Sequence, residues 1–233
     1  MKILENEIQD LGSRKSETLT SQAYLAIRQR IFVGEWLPGT KLTLRGLAAE
    51  LGTSIQPIRD AVSRLAAEKS LVLRPNHSVV LPPIERALLD EIFSMRNMLE
   101  GEAVRRSALA LTPQDFAELE EAIKVTRVHY RKGGNVQERV LAMQTIAMMF
   151  ARKCGSTLLG EHLTNLRTRT APYYAAAMTN DTMADSEFIT FTIRIQDEFI
   201  DALKRGHAEE AAEMRKADLY SFQHYIYRLL NLD

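Results

Sequence analysis

Between Ser54 and Leu65 the chain sets out a small group of side chains that could read a nucleic acid. Ile58, Ala61, Val62 and Leu65 recur at i, i+3, i+4 and i+7, which marks the buried face of a helix. Ile55, Gln56, Arg59 and Ser63 then fall within roughly a 100° arc on another side of it. An Arg can bond bidentately to guanine, a Gln to adenine, and an apolar chain can meet a thymine methyl. Ser54 is the expected cap of this helix, with Pro57 inside the first turn, where a missing N–H costs nothing. A second reading stays open at this level: a small α+β packing module whose exposed polar face serves no ligand.

Further along, Arg96 is the cation most in need of an anion. Its helical neighbours Ile92, Met95, Leu99 and Val104 are largely apolar. Glu100, four residues on, can satisfy it as an i,i+4 pair; a bound carboxylate ligand is the other possibility. Arg167 and Arg169, beside Leu163 and Leu166, are weaker candidates. Tyr173, Tyr174, Tyr220 and Tyr225 could present hydroxyls, or could simply fill a core. No Gly-rich phosphate loop, nucleophile elbow, H-E-x-x-H or paired-Cys motif occurs. His162 or His224 could act as a base, but neither has an identifiable nucleophile beside it. The chemistry therefore points to binding and not to catalysis, and no cofactor is expected. A helical scaffold using its N-terminal part for protein contacts is the alternative, and a helical enzyme a remoter one.

These residues need elements to hold them. The chain has 233 residues, 45% apolar and 26% charged, an ordinary globular composition. Its apolar runs are too short to span a bilayer, and MKILENEIQD has no signal-peptide core, so no membrane is expected. Cys154 is the one cysteine, which fits a reducing cytoplasm. Thirty basic residues balance thirty acidic ones, yet the span Leu19 to Pro82 carries eight basic and four acidic residues. That surplus favours a nucleic-acid contact in the N-terminal third, although a solvated basic face would look the same. Residues 1–18 read as a mobile arm. A helix is expected from Thr20 to Val33, with Ala23, Ile27 and Ile31 on one stripe. A second follows, capped by Thr43, with Leu44, Leu47, Ala48 and Leu51 inward and Gly52 as its left-handed stop. After the third helix, Leu71 to Arg74 and Ser78 to Leu81 flank Pro75-Asn76-His77 as a hairpin. Residues 19–82 thus form a winged helix-turn-helix, three helices plus a β-hairpin. Pro82-Pro83 then marks a boundary. Residues 83–233 read as an all-α antiparallel bundle, with helices near 85–109, 113–131, 137–153, 157–178, 186–205 and 208–230.

The residues also carry a resemblance. The strings Ile31-Phe32-Val33-Gly34-Glu35-Trp36-Leu37-Pro38-Gly39, Leu47-Ala48-Ala49-Glu50-Leu51-Gly52 and Ser54-Ile55-Gln56-Pro57-Ile58-Arg59-Asp60-Ala61 resemble the N-terminal domain of GntR-family bacterial transcription regulators. The resemblance implies DNA contact by Arg45, Gln56 and Arg59, with His77 at the tip of the wing. Ile55 stands where the family usually has Arg, and Ser78 where its wing usually has Gly, which implies altered base preference or weaker affinity.

The helical remainder resembles the FadR-like branch with an FCD effector domain. Met95 to Glu100, Ala151 to Leu159 and Ala202 to Ala211 carry that likeness. It implies a cytoplasmic homodimer on a pseudo-palindromic double-stranded DNA operator, controlled by a small organic acid in the helical domain. Arg96, Arg167, Gln196 and Asp218 are the implied effector contacts, with Met143 and Ala147 as apolar lining. Counting from Gly155 and Gly206 puts the family's four metal positions at Met143, Ala147, Gln196 and Asp218. Only Asp218 is a strong ligand type, so no metal is expected. His77, His129, His162, His207 and His224 all miss those positions; a site rebuilt around His162 or His224 stays open.

Overall fold

A computed structural model describes residues 18–74, 78–132, 135–179 and 186–232. The expected arm, all but its last residue, and the Pro75-Asn76-His77 turn lie outside them. Helix α1 (Leu19–Phe32) starts at Thr18, whose Oγ1 accepts from the Ser21 N–H at 3.2 Å. Strand β1 (Lys41–Thr43) runs into α2 (Leu44–Glu50), and Thr43 Oγ1 caps α2 through the Gly46 N–H. Helix α3 (Ile55–Ala67) follows, then β2 (Val72–Leu73) and β3 (Ser78–Val80).

Ala23, Tyr24, Ile27 and Ile31 of α1 meet Leu44, Leu47 and Ala48 of α2 and Ile58, Ala61, Val62 and Leu65 of α3 in one core. Leu51, expected inward, only packs against its edge. The expected hairpin is present, with Leu73 opposite Val79, and one further expectation, the Ser54 cap, is corrected. The hairpin is part of a three-stranded antiparallel sheet of order β1-β3-β2, with Leu42 opposite Val79. Ser54 occupies the N-cap of α3 with extended backbone, but its hydroxyl makes no capping hydrogen bond.

The bundle comprises α4 (Arg86–Ser107), a 3-10 turn (Ala108–Ala110), α5 (Pro113–Lys132), α6 (Val136–Lys153), α7 (Thr157–Thr179), α8 (Ser186–Lys204) and α9 (Ala208–Leu229). Each begins and ends within two residues or so of the expected bounds. At the start of α5, Thr112 and Asp115 cap each other. Asp115 accepts from the Thr112 N–H at 2.8 Å, and Thr112 Oγ1 accepts from the Asp115 N–H at 3.2 Å. Two apolar clusters fill the bundle. Leu119, Ile123, Ile146, Phe150, Phe199 and Leu203 belong to one; Leu89, Phe93, Tyr174, Phe222 and Ile226 belong to the other. Tyr173 and Tyr225 lie in the second cluster too, as core, whereas Tyr220 is exposed.

The two parts of the chain touch along α1 and α7. Phe32 is buried in the first bundle cluster, not in the N-terminal core. Gly34 follows at φ +70°, and a Cβ there would lie 2.7 Å from Ala175 Cβ and 3.1 Å from the Ala171 carbonyl. Only glycine accepts both the backbone angle and that approach. Trp36, two residues on, packs against the N-terminal core beneath the Arg30 guanidinium, 5.3 Å from its ring centre.

Candidate nucleic-acid interface and internal cavity

The buried face of α3 is closed: Ile58, Ala61, Val62 and Leu65 are all fully buried. Its other side, with Ile55, Gln56, Arg59 and Ser63, is exposed together with Ser54 and, from α2, Arg45. Among the described residues neither Arg45 nor Arg59 has an ion-pair partner. The Gln56 amide donates to Asp60 Oδ1 at 3.0 Å, which occupies one of its two N–H groups. Ser54, without a capping bond, keeps its hydroxyl for other partners. His77 lies outside the described residues.

Not all of the basic surplus is available. Arg30 bonds Glu35 and Glu50, and Arg64 bonds Glu68 at 3.2 Å while lying 3.8 Å from the centre of the Tyr24 ring. Those two cations brace the module. What remains is a face that opens at the N-terminus of α3 and carries unpaired Arg59 with unpaired Arg45 nearby in sequence.

The second site lies where the two bundle clusters meet. Glu100 of α4 is buried and accepts from three guanidiniums. Arg96 Nε reaches its Oε1 at 2.8 Å; Arg167 Nη2 reaches Oε2 at 2.9 Å; Arg215 Nη2 reaches the same oxygen at 2.6 Å. Arg215 also bonds Asp218 at 2.7 Å, and Arg96 donates to Tyr174. Burial alone would raise the Glu100 pKa, but the charges of Arg167, Arg96 and Arg215 hold it well below the usual carboxylate range. Burial lowers Arg167 to about 9 against the opposing pull of Glu100. Asp218 goes up, because burial and the Glu100 charge outweigh the attraction of Arg215 and Arg167. Three guanidiniums and two carboxylates thus meet in one buried place, where a charge is costly unless it is paired and hydrogen-bonded.

Beside this cluster lies a cavity of about 30 Å³, lined among others by Arg96, Met143, Arg167, Gln196, Arg215 and Asp218. Five expected effector residues therefore come together there. Ala147 is buried but does not line the cavity. Arg169 lies elsewhere, near Glu91 and Tyr173. The volume admits a water molecule or two and no more. A neighbouring space of about 10 Å³ shares Ile146, Gln196, Arg215 and Asp218 with it.

The family's metal does not fit these residues. Met143 and Ala147 offer no strong donor. Gln196 Oε1 already accepts from Arg127 Nε at 3.0 Å, and Asp218 is held by Arg215. A dication would also face three guanidiniums. Among the described residues no three His, Cys, Asp or Glu side chains converge, and His162 and His224 are both exposed.

Sequence reasoning missed Arg215 and Gln144. Each had the signal that marked Arg96. Arg215 lies on the stripe Ala211–Arg215–Leu219, and Gln144 on Val140–Gln144–Ala147–Met148, both otherwise apolar and buried. Gln144 Oε1 accepts from Arg167 Nη1 at 2.7 Å; its Nε2 donates to the carbonyls of Phe32 and Arg167, each at 3.3 Å.

A winged helix-turn-helix joined to a helical bundle with a buried charged cavity defines the class of protein, a DNA-binding module coupled to a second domain. Comparison with known proteins makes the class specific. Residues 19–81 match the bacterial regulatory proteins of the gntR family, and residues 91–219 match the FCD domain. The chain belongs to the GntR family, in the branch that carries an FCD domain, and it is a transcription regulator and not an enzyme. It is 30% identical over 161 residues to the HTH-type transcriptional regulator McbR of Escherichia coli K12, covering 69% of this chain and 72% of that protein. Over 102 residues it is 31% identical to the gluconate operon transcriptional repressor of Bacillus licheniformis, covering 44% and 42% of the two chains. The solved structure of E. coli McbR/YncC superposes with a TM-score of 0.83 at 25% identity, over 92% of this chain and 99% of the other. A putative GntR regulator from Rhodococcus sp. RHA1 shares the fold at a TM-score of 0.70 and 18% identity, over 92% and 98%.

Proposed function

We propose that this regulator reads a pseudo-palindromic operator as a homodimer in the cytoplasm, and that a small organic acid bound in the helical domain controls the affinity. Ser54, Ile55, Gln56, Arg59 and Ser63 read the major groove, Arg45 meets phosphate, and His77 serves the wing. The observation that carries the effector is that three guanidiniums, those of Arg96, Arg167 and Arg215, line one cavity. A carboxylate in that cavity meets all three guanidiniums. Met143, Ile146, Leu219 and Phe222 line the same cavity, so the acid has an apolar body. Because the cavity, at about 30 Å³, is too small for an organic acid, the acid enters by moving a wall. The wall that gives is between α5 and α8, where a groove of about 750 Å³ is lined by Arg127, Asp197, Glu120 and Lys204. Arg127 there bonds both Asp197 and Gln196, the latter a wall of the cavity.

Second copies meet along α4 and α7, where Met95 (46% exposed), Met98 (56%) and Leu158 (65%) are uncovered. Exposed apolar side chains such as these are what an isologous two-fold contact covers. Thermal-shift screening of organic acids tests the effector. An acid that stabilises wild type and stabilises Arg96→Ala much less supports the reading. Equal stabilisation of both makes Arg96 purely structural, and no stabilising acid removes this effector class.

A further inference from the structure

Gln144 lies between the charged cavity and the DNA-reading module. It is fully buried on α6, and both ends of its amide are in use. The oxygen faces Arg167, a wall of the cavity; the nitrogen faces the Phe32 carbonyl, the last of α1. A helix leaves its final carbonyls without partners inside the helix. At the end of α1, Gln29 accepts from Val33, Arg30 from Glu35 and Ile31 from Gly34. The Phe32 carbonyl is the one of these four taken by a side chain of the bundle. Gln144 therefore caps a helix of the DNA-reading module from the other half of the molecule.

The far end of this bridge is tied to the cavity charges. Arg167 puts Nε and Nη2 on Glu100 and Nη1 on Gln144 Oε1 and the Met143 carbonyl. A guanidinium is a rigid planar fork. It cannot turn toward a new anion at one edge and keep its partner at the other. We propose that Gln144 is the residue through which occupancy of the cavity reaches the DNA-reading module: an anion that competes with Glu100 for Arg167 draws Nη1 off Gln144, the amide reorients to satisfy its oxygen, and the cap on α1 is released. This rests on the reading that the cavity holds an acidic effector, but the link itself can be tested without one. The release is felt at the seam because Gly34, two residues past the cap, is pressed against α7, the helix that carries Arg167. Gln144 is a positioning residue here and touches neither DNA nor effector.

The test uses full-length protein, a DNA fragment from upstream of its own coding sequence, and three variants: Gln144→Met, Arg167→Lys and the double. Lysine keeps a charge for Glu100 but loses the fork. Hydrogen exchange is followed across residues 30–37 and operator affinity by anisotropy. Gln144→Met should speed exchange in that segment and change affinity, each on the order of fivefold, the lower range of allosteric couplings. Arg167→Lys should do the same, and the double should add less than about twofold, because both act through one link. A double variant in which the two effects multiply overturns the proposal. So does unchanged exchange in Gln144→Met. If Arg167→Lys does not fold, Gln144→Glu replaces it: it keeps an oxygen for Arg167 but cannot donate to Phe32, so exchange should rise as in Gln144→Met. Wild-type exchange in that variant also overturns the link. A wild type that does not bind this fragment removes it as the operator, and the exchange measurements still judge the bridge.

Discussion

At the scale of single residues, Arg59 and Arg45 should separate by what they touch. Arg59 is unpaired at the exposed start of α3, so Arg59→Ala should cost about 1–3 kcal/mol on the operator and relax one base position per half-site. Arg45→Ala should weaken specific and scrambled duplexes alike and reduce the salt slope by about one. Titrations of both variants on both duplexes at several salt concentrations decide it; equal losses for Arg59→Ala on the two duplexes would remove it as a base reader. Arg59 was legible in the sequence because recognition needs only one helix face, and the 3.6-residue period displays that face directly. Arg96 was legible as a cation among apolar neighbours, and its partner Glu100 was visible four residues away. What could not be read was that Glu100 serves more than Arg96. Glu100 accepts from Arg96, and also from Arg215, which lies 115 positions along the chain. Gln144 was silent for the same reason, since its partner Phe32 is 112 positions away. A local pattern shows that a buried polar group needs a partner, and only the packing of several helices says which.

At the scale of elements, helix ends were the most readable features, because caps and stops are local chemistry. Thr43 and the Thr112–Asp115 pair both cap as their residue types indicate. Ser54 is the exception, since its hydroxyl is free although its backbone has the cap geometry. Strand β1 escaped notice because its alternation lasts only three residues, and its pairing is decided far along the chain, with Leu42 opposite Val79, 37 positions later. The Asp115 cap makes a pH prediction. The Lys153 ammonium, the Thr112 N–H and the Thr112 hydroxyl, in that order apart from opposing burial, lower its carboxyl from 3.8 to about 2. A depressed carboxylate stabilises the fold above its ordinary pKa, and that stabilisation disappears as pH falls through the folded value. Asp115→Asn should therefore melt below wild type at neutral pH, and the gap should close between about pH 4 and pH 2. Thr112→Ala should cost about 1 kcal/mol in the same melts. A gap that stays constant down to pH 2 would mean the carboxylate charge contributes nothing to α5.

At the scale of the whole molecule, the two parts are joined where the end of α1 meets α7. Phe32 is buried in the bundle, Gly34 touches Ala175, and the Tyr173 hydroxyl donates to the Pro83 carbonyl at 3.3 Å. That a winged module is followed by a helical bundle was readable from the change in periodicity along the chain. The seam was not, because nothing in the periodicity of α1 shows that its last residue belongs to the other core. Trp36 gives that seam an optical readout. It is the chain's single tryptophan, it is partly exposed, and a guanidinium lies over its ring. Its emission therefore reports one location, a few residues past the cap on α1, with no label attached. An acid that stabilises the protein should shift that emission along the same binding curve as the melting temperature, and Gln144→Met should abolish the shift while leaving the thermal stabilisation. If the acid stabilises the protein and the emission of wild type does not move, then whatever passes from cavity to DNA does not travel through the end of α1.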